Sequence, residues 1–154
     1  MTDMPVFIIA EAGVNHNGDA DLARRLVDVA AEAGADAVKF QTFRAEAVAT
    51  STAANAAYQK RATRAGESQL AMLNRLALSH PLHRELLARC CDRGIKFLST
   101  PFDAASLDFL ADDLGLDTIK IASGEITNGP LLLAAARTGR NLILSTGMST
   151  LQEV

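Results

Sequence analysis

Five short segments of the chain are almost uninterruptedly apolar, and each is followed by residues with helical spacing or a helix-start signal. Apolar runs of about four to eight residues that do not alternate with polar ones are typical of parallel strands buried on both faces. A repeated order of strand and helix predicts an α/β fold with a parallel sheet. The predicted strands are residues 6–10, 37–40, 95–99, 118–122 and 141–145.

Residues that cap helix starts and glycines that close helix ends lie between the predicted strands. A further start signal, the capping box of Ser149 and Gln152, follows the last strand. Between strands two and three, an alanine-rich first part predicts a long loop, and residues 69–76 predict a short helix. The pairs of start and end residues are Asp19 with Gly34, Ser79 with Gly94, Asp103 with Gly115, and Asn128 with Gly139.

Alternating βα units are compatible with a closed (β/α)8 barrel or with an open, doubly wound sheet. The turn after the first strand, residues 11–18, lacks the G-x-G-x-x-G spacing of a dinucleotide-binding doubly wound domain. The (β/α)8 TIM barrel is therefore favoured. Because such barrels have about 250 residues, the 154 residues are expected to form only the first five or so βα units, the N-terminal portion of a barrel domain.

The composition excludes several classes of function. The formal net charge is -3 and the basic clusters are short, so the chain has no electrostatic footprint for nucleic acid. No apolar run approaches the roughly 18 residues of a membrane span, and the N-terminus lacks a basic signal-peptide region. The adjacent Cys90 and Cys91 form no C-x-x-C motif and are interpreted as helix residues. We therefore expect a cytoplasmic protein that binds neither nucleic acid nor membranes.

Polar side chains collect at the carboxyl ends of the predicted strands, where the active site of a barrel lies. Lysine, hydroxyl groups and glycine-bearing turns that expose backbone N–H groups are suited to a phosphate or carboxylate anion. The sequence therefore predicts an anion-binding site on this face. Its candidate residues are Glu11, Lys39, Gln41, Ser99, Thr100, Ser123, Glu125 and Ser145.

Lys39 is the most informative of these residues, because a lysine inside a buried strand needs an anionic partner. That partner is either a bound ligand or a carboxylate such as Glu11 or Glu125 in a structural ion pair. Both glutamates can act as acid and base or stay solvated, and the hydroxyls can simply cap strand ends. The facing of Lys120 is left open, and structural pairing or solvent exposure is favoured over a role in the site. His16 is compatible with a metal ligand or a turn residue, and the sequence contains no complete metal-binding motif.

Five ordered segments, distributed over nearly the whole chain, carry a family resemblance. They closely resemble the bacterial N-acetylneuraminate (sialic acid) synthase family, including the legionaminate synthases, whose motifs are nearly the same. Parts of residues 58–79 are also similar to that family's second long loop. The five segments are residues 8–18, 37–42, 97–102, 120–125 and 144–148.

The resemblance implies a (β/α)8 enzyme, a transferase of sialic acid biosynthesis. Such an enzyme condenses phosphoenolpyruvate with N-acetylmannosamine or a related N-acetylated hexosamine, giving a nine-carbon 2-keto sugar acid and phosphate. The resemblance implies that the enol carbon attacks the open-chain aldehyde. Water activated by a divalent metal, usually manganese, then adds at the phosphate-bearing carbon, and C–O cleavage releases phosphate.

The resemblance also implies roles for residues of this chain. Glu11 and Glu125 would be catalytic, as acid, base or orienting groups. Gln41 and Glu125 would contact the amino sugar. The residues that would hold phosphoenolpyruvate are Lys39, Thr100, Ser123 and Ser145.

Other parts implied by the resemblance are expected outside this chain. The manganese ligands are expected beyond residue 154, because the family's two metal-binding histidines lie on later strands and His16, His80 and His83 do not match them. The family's C-terminal antifreeze-like domain, which closes the sugar site of the partner subunit in a dimer, is also absent from residues 1–154. We therefore expect a homo-oligomeric parent protein. The chain alone is expected to bind phosphoenolpyruvate weakly at best and not to turn it over.

Two alternatives are open from the sequence. The chain can be a non-catalytic half-barrel that associates through its open sheet edges. It can also belong to another phosphoenolpyruvate-condensing or aldolase-type barrel, such as a Kdo-8-phosphate synthase. Residues 67–69 favour the sialic acid branch over that alternative.

Overall fold

All strand pairings in this protein are parallel in the part of the chain that the structure, a computed structural model, describes: residues 6–50, 68–147 and 149–154. Strands and helices alternate from the first strand onward, apart from three consecutive helices between β2 and β3. The strands are β1 (Ile9–Gly13), β2 (Ala37–Thr42), β3 (Lys96–Pro101), β4 (Thr118–Ile121) and β5 (Asn141–Leu144). The helices are α1 (Ala20–Glu32), α2 (Ala45–Val48), α3 (Gln69–Leu76), α4 (His80–Arg93), α5 (Ala104–Asp108) and α6 (Gly129–Arg137), and α5 continues into a π-helical turn, Phe109–Asp113.

The strands follow one another in space in the order in which they occur in the sequence. β1, β2 and β3 form one hydrogen-bonded sheet, and β4 and β5 form another. β3 runs beside β4, and the Lys96 ammonium joins them by donating to Thr118 Oγ1 at 3.2 Å. A doubly wound sheet instead reverses its order on either side of the first strand. The α/β class with parallel strands is confirmed, and this order is not the doubly wound one.

The two faces of the sheet differ in chemistry, because successive residues of a strand point to opposite sides. One face packs beneath the helices and forms the apolar core. The other face, which we call the inner face, carries polar and charged side chains. Core-facing residues include Val38, Phe40, Phe97, Ile119 and Ile121, and inner-face residues include Glu11, Lys39, Gln41, Thr100 and Lys120.

The predicted helix starts and ends are confirmed where the structure describes them. Asp19, Ser79, Asp103 and Asn128 each accept a hydrogen bond from a backbone N–H in the first turn of their helix. Gly94 ends α4 with a left-handed φ of 68°, a conformation that glycine adopts at little cost. At the last start signal, Glu153 accepts from the Thr150 backbone N–H at 2.7 Å and from the Thr150 hydroxyl at 3.0 Å. The interacting pair in this turn is therefore Thr150 with Glu153 rather than the predicted Ser149 with Gln152.

Three other expectations need correction. β1 begins at Ile9, three residues later than predicted, because its register with β2 starts at the pair Ile9 and Ala37. β5 is not covered on both faces: it pairs only with β4 among the described strands, and Leu142 and Leu144 are 41% and 45% exposed. The alanine-rich segment predicted as loop begins with α2, while its continuation over residues 51–67 lies outside the described residues.

Helices α1 and α4 are joined by a ladder of ion pairs on the protein surface. Arg89 binds Asp28 through two hydrogen bonds of 3.0 and 2.6 Å, and Arg93 donates to Glu32 at 3.0 Å. The Arg89 guanidinium lowers the pKa of Asp28. Such exposed pairs contribute at most about 1 kcal/mol each, so the ladder fixes the alignment of the helices more than it stabilises the fold.

The two cysteines agree with their interpretation as helix residues. Cys90 is buried, Cys91 is exposed, and both are free thiols. Burial raises the pKa of Cys90 to about 12, which makes this thiol unreactive. Among the described residues, no helix combines the length and the apolar character needed to traverse a lipid bilayer.

His83 lies on the buried side of α4 and is completely shielded from solvent. Burial lowers the pKa of His83 from 6.5 to about 4. In the unfolded chain the imidazole titrates near its ordinary value of about 6.5. Between about pH 6.5 and 4 the unfolded state therefore binds more protons than the folded state.

We predict that the free energy of unfolding falls as the pH is lowered from about 6.5 to 4, by up to about 3 kcal/mol for His83 alone. Buried His16, whose pKa is also lowered by burial, adds to the same slope. Denaturant titrations at several pH values measure the free energy of unfolding and hence this slope. His83→Gln should flatten the slope, and His80→Gln, on the exposed side of the same helix, should flatten it much less, because the His80 charge is a minor cause of the lowered pKa of His83. If the slope in His83→Gln equals that of the wild type, titration of the buried His83 is not the cause of the pH dependence.

Candidate anion-binding site on the inner face

The first part of the site is an ion pair between adjacent strands. Lys39 from β2 is only 9% exposed, and its Nζ lies 2.7 Å from Oε2 of Glu11 on β1. The same ammonium lies 3.4 Å from the Thr100 hydroxyl on β3. The pairing of Lys39 with Glu11, rather than with Glu125, is the one that the structure contains. Glu11 belongs to β1 itself, whereas the sequence pattern predicted it to follow the strand.

The second part of the site is Lys120 on β4. Its ammonium donates to the Ser145 hydroxyl and to the Ile121 carbonyl oxygen, both at 2.6 Å. Lys120 is 9% exposed, so solvent exposure, one of the favoured interpretations of this residue, is excluded. Burial lowers the pKa of Lys120, Lys39 lowers it further, and Glu11 partly offsets both effects. The charges of Lys39 and Glu11 therefore act on the Lys120 ammonium, although the three residues lie on different strands.

Positive charge is in excess on the inner face. Lys39 is paired with the Glu11 carboxylate, whereas no carboxylate of a described residue forms an ion pair with the equally buried Lys120. A buried charge that is bound only to neutral oxygens is costly unless a counterion arrives. The arrangement is therefore suited to an anion held by Lys39, Lys120 and the hydroxyls of Thr100 and Ser145.

A break in the β1–β2 register at the end of β1 leaves space for the side chains of Glu11 and Gln41. The register with β2 skips Ala12, and Gly13 has a left-handed φ of 52°. A Cβ on Gly13 would lie 3.0 Å from Glu11 Oε1 and 3.7 Å from Gln41 Nε2. Glycine thus leaves room for both side chains, and Gln41 lies beside the ion pair, at the rim of the inner face.

Ser123 and Glu125 lie on the 3-10 turn Ser123–Glu125 that follows β4. The Ser123 hydroxyl lies against Gly147, just beyond Ser145. The Glu125 carboxylate instead accepts from Asn128 Nδ2 at 2.7 Å, and Asn128 also caps α6. The structure thus brings together Glu11, Lys39 and Thr100, and also Lys120 and Ser145. Glu125 makes no hydrogen bond or ion pair with these groups.

Ser99 does not belong to the site, although the sequence grouped it with the strand-end hydroxyls. It points to the helix side of β3, where its Oγ lies 2.7 Å from Thr42 Oγ1. Thr100, the next residue, points to the inner face. Lys120, whose facing the sequence left open, points to the inner face, as its position between two core-facing isoleucines, Ile119 and Ile121, indicates.

The described residues do not provide a metal site. His16 is fully buried in the turn after β1, and its Nδ1 accepts from the Gly18 backbone N–H at 3.1 Å, which confirms the turn role. Within the described ranges, no three His, Cys, Asp or Glu side chains form a group that could hold a metal ion.

We predict that Lys120→Met raises the free energy of unfolding of the ligand-free chain by on the order of 1 kcal/mol. Methionine is similar in length and removes both the desolvation cost and the repulsion from Lys39. Lys96→Met serves as the matched control, because Lys96 is part-exposed and paired with Asp117 at 2.9 Å. It should lower stability by up to about 1 kcal/mol, because it removes the ion pair with Asp117 and the hydrogen bond to Thr118. A Lys120→Met chain that is less stable than the wild type would show that burial of this ammonium is not costly.

Comparison with known proteins agrees with the fold. The sequence model described as NeuB family matches residues 26–154. The N,N'-diacetyllegionaminic acid synthase of Campylobacter jejuni is 50% identical over 147 residues, which cover 96% of this chain and 44% of that protein. The enzyme of the same name from Legionella pneumophila is 51% identical over 153 residues, covering 99% of this chain and 43% of that protein.

A solved structure shows the same similarity in three dimensions. The N-acetylneuraminic acid (sialic acid) synthetase of Leptospira borgpetersenii superposes with a TM-score of 0.79 at 36% identity, covering 99% of this chain and 50% of that one. The chain spans less than half the length of the two curated relatives above. The match to the family and the identity to these synthases lead to one conclusion: this chain belongs to the NeuB family.

Proposed function

We propose that this chain is the N-terminal part of a (β/α)8 enzyme that condenses phosphoenolpyruvate with an N-acetylated hexosamine. The products would be a nine-carbon 2-keto sugar acid and inorganic phosphate. The observation that carries the proposal is the presence of two buried lysines on the inner face, Lys39 and Lys120, of which only Lys39 is paired with a carboxylate of a described residue. Membership of the NeuB family and the names of its relatives support the same reaction.

Phosphoenolpyruvate complements this face because it carries two anionic groups on one small carbon frame. In the proposal, Lys39 and Lys120 hold these groups, assisted by the hydroxyls of Thr100 and Ser145. Ser123, on the turn beside Gly147, adds a further hydroxyl at the same edge. Ammonium and hydroxyl donors fixed before the ligand arrives stabilise charge without reorganisation during the reaction.

In the proposed reaction, a C–C bond forms between the enol carbon of phosphoenolpyruvate and the aldehyde carbon of the open-chain sugar. Water adds at the phosphate-bearing carbon, and the C–O bond to phosphate then breaks. Glu11, whose side chain is 54% exposed, would exchange protons or orient the reacting groups beside Lys39. Gln41 and Glu125, at the rim, would contact the sugar.

The acceptor is proposed to be a sugar with two acetamido groups. The two relatives named for N,N'-diacetyllegionaminic acid are 50% and 51% identical to this chain, and the sialic acid synthetase is 36% identical. N-acetylmannosamine is the alternative acceptor. A divalent metal, most simply manganese, would be bound by residues of the parent protein outside this chain, and that protein is proposed to be a homo-oligomer in the cytoplasm.

Apolar side chains at both outer strands support the partial barrel. Val6, Phe7 and Ile8 precede β1 and are 78%, 52% and 51% exposed. A cleft of about 230 Å³ beside β1 is lined by apolar residues that include Leu26 and Val29. Leu142 and Leu144 are exposed on β5 at the opposite edge. Further βα units would cover these surfaces and close the barrel.

We predict that the parent protein, supplied with manganese and phosphoenolpyruvate, releases phosphate in the presence of the acceptor sugar. Measurements with N-acetylmannosamine and with a diacetamido hexosamine identify the acceptor, and mass spectrometry of the product confirms the new C–C bond. Lys39→Met and Lys120→Met should each lower kcat/KM by about a hundredfold or more, because each removes a charge from the proposed anion site. Lys96→Met should retain activity.

Two results would refute the proposed function. If neither sugar gives phosphate release or a nine-carbon product, the condensation is wrong. Release that does not depend on an acceptor would indicate hydrolysis of phosphoenolpyruvate and would equally contradict it. We expect no turnover by residues 1–154 alone.

A further inference from the structure

A buried chain of hydrogen bonds lies directly behind the candidate site, between the sheet and α4. Thr42 Oγ1 on β2 lies 2.7 Å from Ser99 Oγ on β3 and 2.8 Å from His83 Nε2 on α4. His83 Nδ1 lies 3.0 Å from the backbone carbonyl oxygen of Ser79, at the start of α4. Thr42 is 4% exposed, and Ser99 and His83 are fully buried. We call Thr42, Ser99 and His83 the β2–β3–α4 network.

The directions of these hydrogen bonds follow from one fixed acceptor. The Ser79 carbonyl oxygen can only accept, so His83 Nδ1 carries the proton. The neutral imidazole then accepts at Nε2, and the Thr42 hydroxyl must be the donor to it. Because the Thr42 proton is committed to His83, the Ser99 hydroxyl donates to Thr42. Each member has one possible role, so the network has a single arrangement.

The surroundings of the network are otherwise apolar. The His83 ring packs edge-on against Phe97 and Phe109, with ring centroids 6.4 and 5.4 Å apart. A buried hydroxyl or imidazole without partners costs about 1–3 kcal/mol, so each member holds the other two in place. A slip of β2 against β3, or of α4 against either strand, would leave several of these groups unpaired.

The network is adjacent in sequence to the residues of the candidate site. Thr42 follows Gln41, and Ser99 precedes Thr100, and these neighbours point to the opposite face of the sheet. Gln41 and Thr100 are register partners across the β2–β3 ladder. Lys39, two residues before Gln41, contacts Thr100 across the same ladder. The helix-side hydrogen bonds therefore fix the backbone from which the inner-face side chains project.

We propose that Thr42, Ser99 and His83 are positioning residues for the anion site. The network sets the alignment of β2 against β3, and thereby places the Lys39 ammonium and the Thr100 hydroxyl for a phosphate-bearing ligand. The ligand part of this inference rests on the proposed function. The coupling of the network to Lys39 and Thr100 is a property of the ligand-free chain and does not rest on it.

The test replaces Thr42, which belongs to both side-chain hydrogen bonds of the network. Thr42→Val keeps the shape and removes the hydroxyl, and Thr42→Ser restores a hydroxyl. Ser106→Ala removes a different buried hydroxyl, on α5, which donates at 2.7 Å to Asp103, the residue that caps this helix. This variant is the matched control for a general loss of stability. NMR spectra of the 154-residue chain report the Lys39 Nζ, Thr100 and His83 ring-nitrogen resonances, and a phosphoenolpyruvate titration reports affinity.

Thr42→Val should shift the Lys39 and Thr100 resonances and weaken phosphoenolpyruvate binding by about fivefold or more, the loss expected for one hydrogen bond. Thr42→Ser should restore both, and Ser106→Ala should affect neither. The proposal is overturned if Thr42→Val leaves the Lys39 and Thr100 resonances unchanged or if Ser106→Ala shifts them as much. If the wild-type chain binds no phosphoenolpyruvate but Thr42→Val shifts both resonances, the positioning stands and the proposed function loses support.

Discussion

The free-energy cost of burying two ammonium groups in a parallel sheet is the constraint on which the arrangement of the inner face depends. Lys39 and Lys120 are each 9% exposed. Among the described residues, the Glu11 carboxylate forms an ion pair with Lys39 and none forms one with Lys120. Hydroxyls from β3 and the segment after β5 supply the remaining contacts, through Thr100 and Ser145. Such an arrangement lowers stability in the absence of ligand and favours a bound anion, as expected where function rather than packing selects a residue.

The period-two alternation of the strands separates binding from support. Side chains on the inner face would contact the ligand, whereas their sequence neighbours on the helix side join β2, β3 and α4 through buried hydrogen bonds. The anion site therefore depends on residues that never reach it. Its rim has a different basis: Gly13 leaves space for Glu11 and Gln41, and Asn128 orients Glu125 while capping α6.

Much of the fold could be predicted from local signals, because caps and apolar runs act over a few residues. The starts of four helices and the identity of every described strand follow from such signals. The errors arise where tertiary context decides. β5 is apolar, yet it lies at the edge of the described sheet, and Leu142 and Leu144 are exposed. Adjacent Ser99 and Thr100 are both polar, so their sequence alone does not tell which one faces the site. Lys120 could have been assigned from its two flanking isoleucines.

Lys39 and Lys120 are proposed to hold a phosphate-bearing anion between them. Titration of the chain with phosphoenolpyruvate, followed through the side-chain ¹⁵Nζ resonances of its lysines, measures this directly. We predict that the Lys39 and Lys120 signals shift together along one binding curve, and that the part-exposed Lys96 shifts little. Equal small shifts at all lysines, or a curve for Lys96 alone, would show nonspecific association and contradict the proposed anion site.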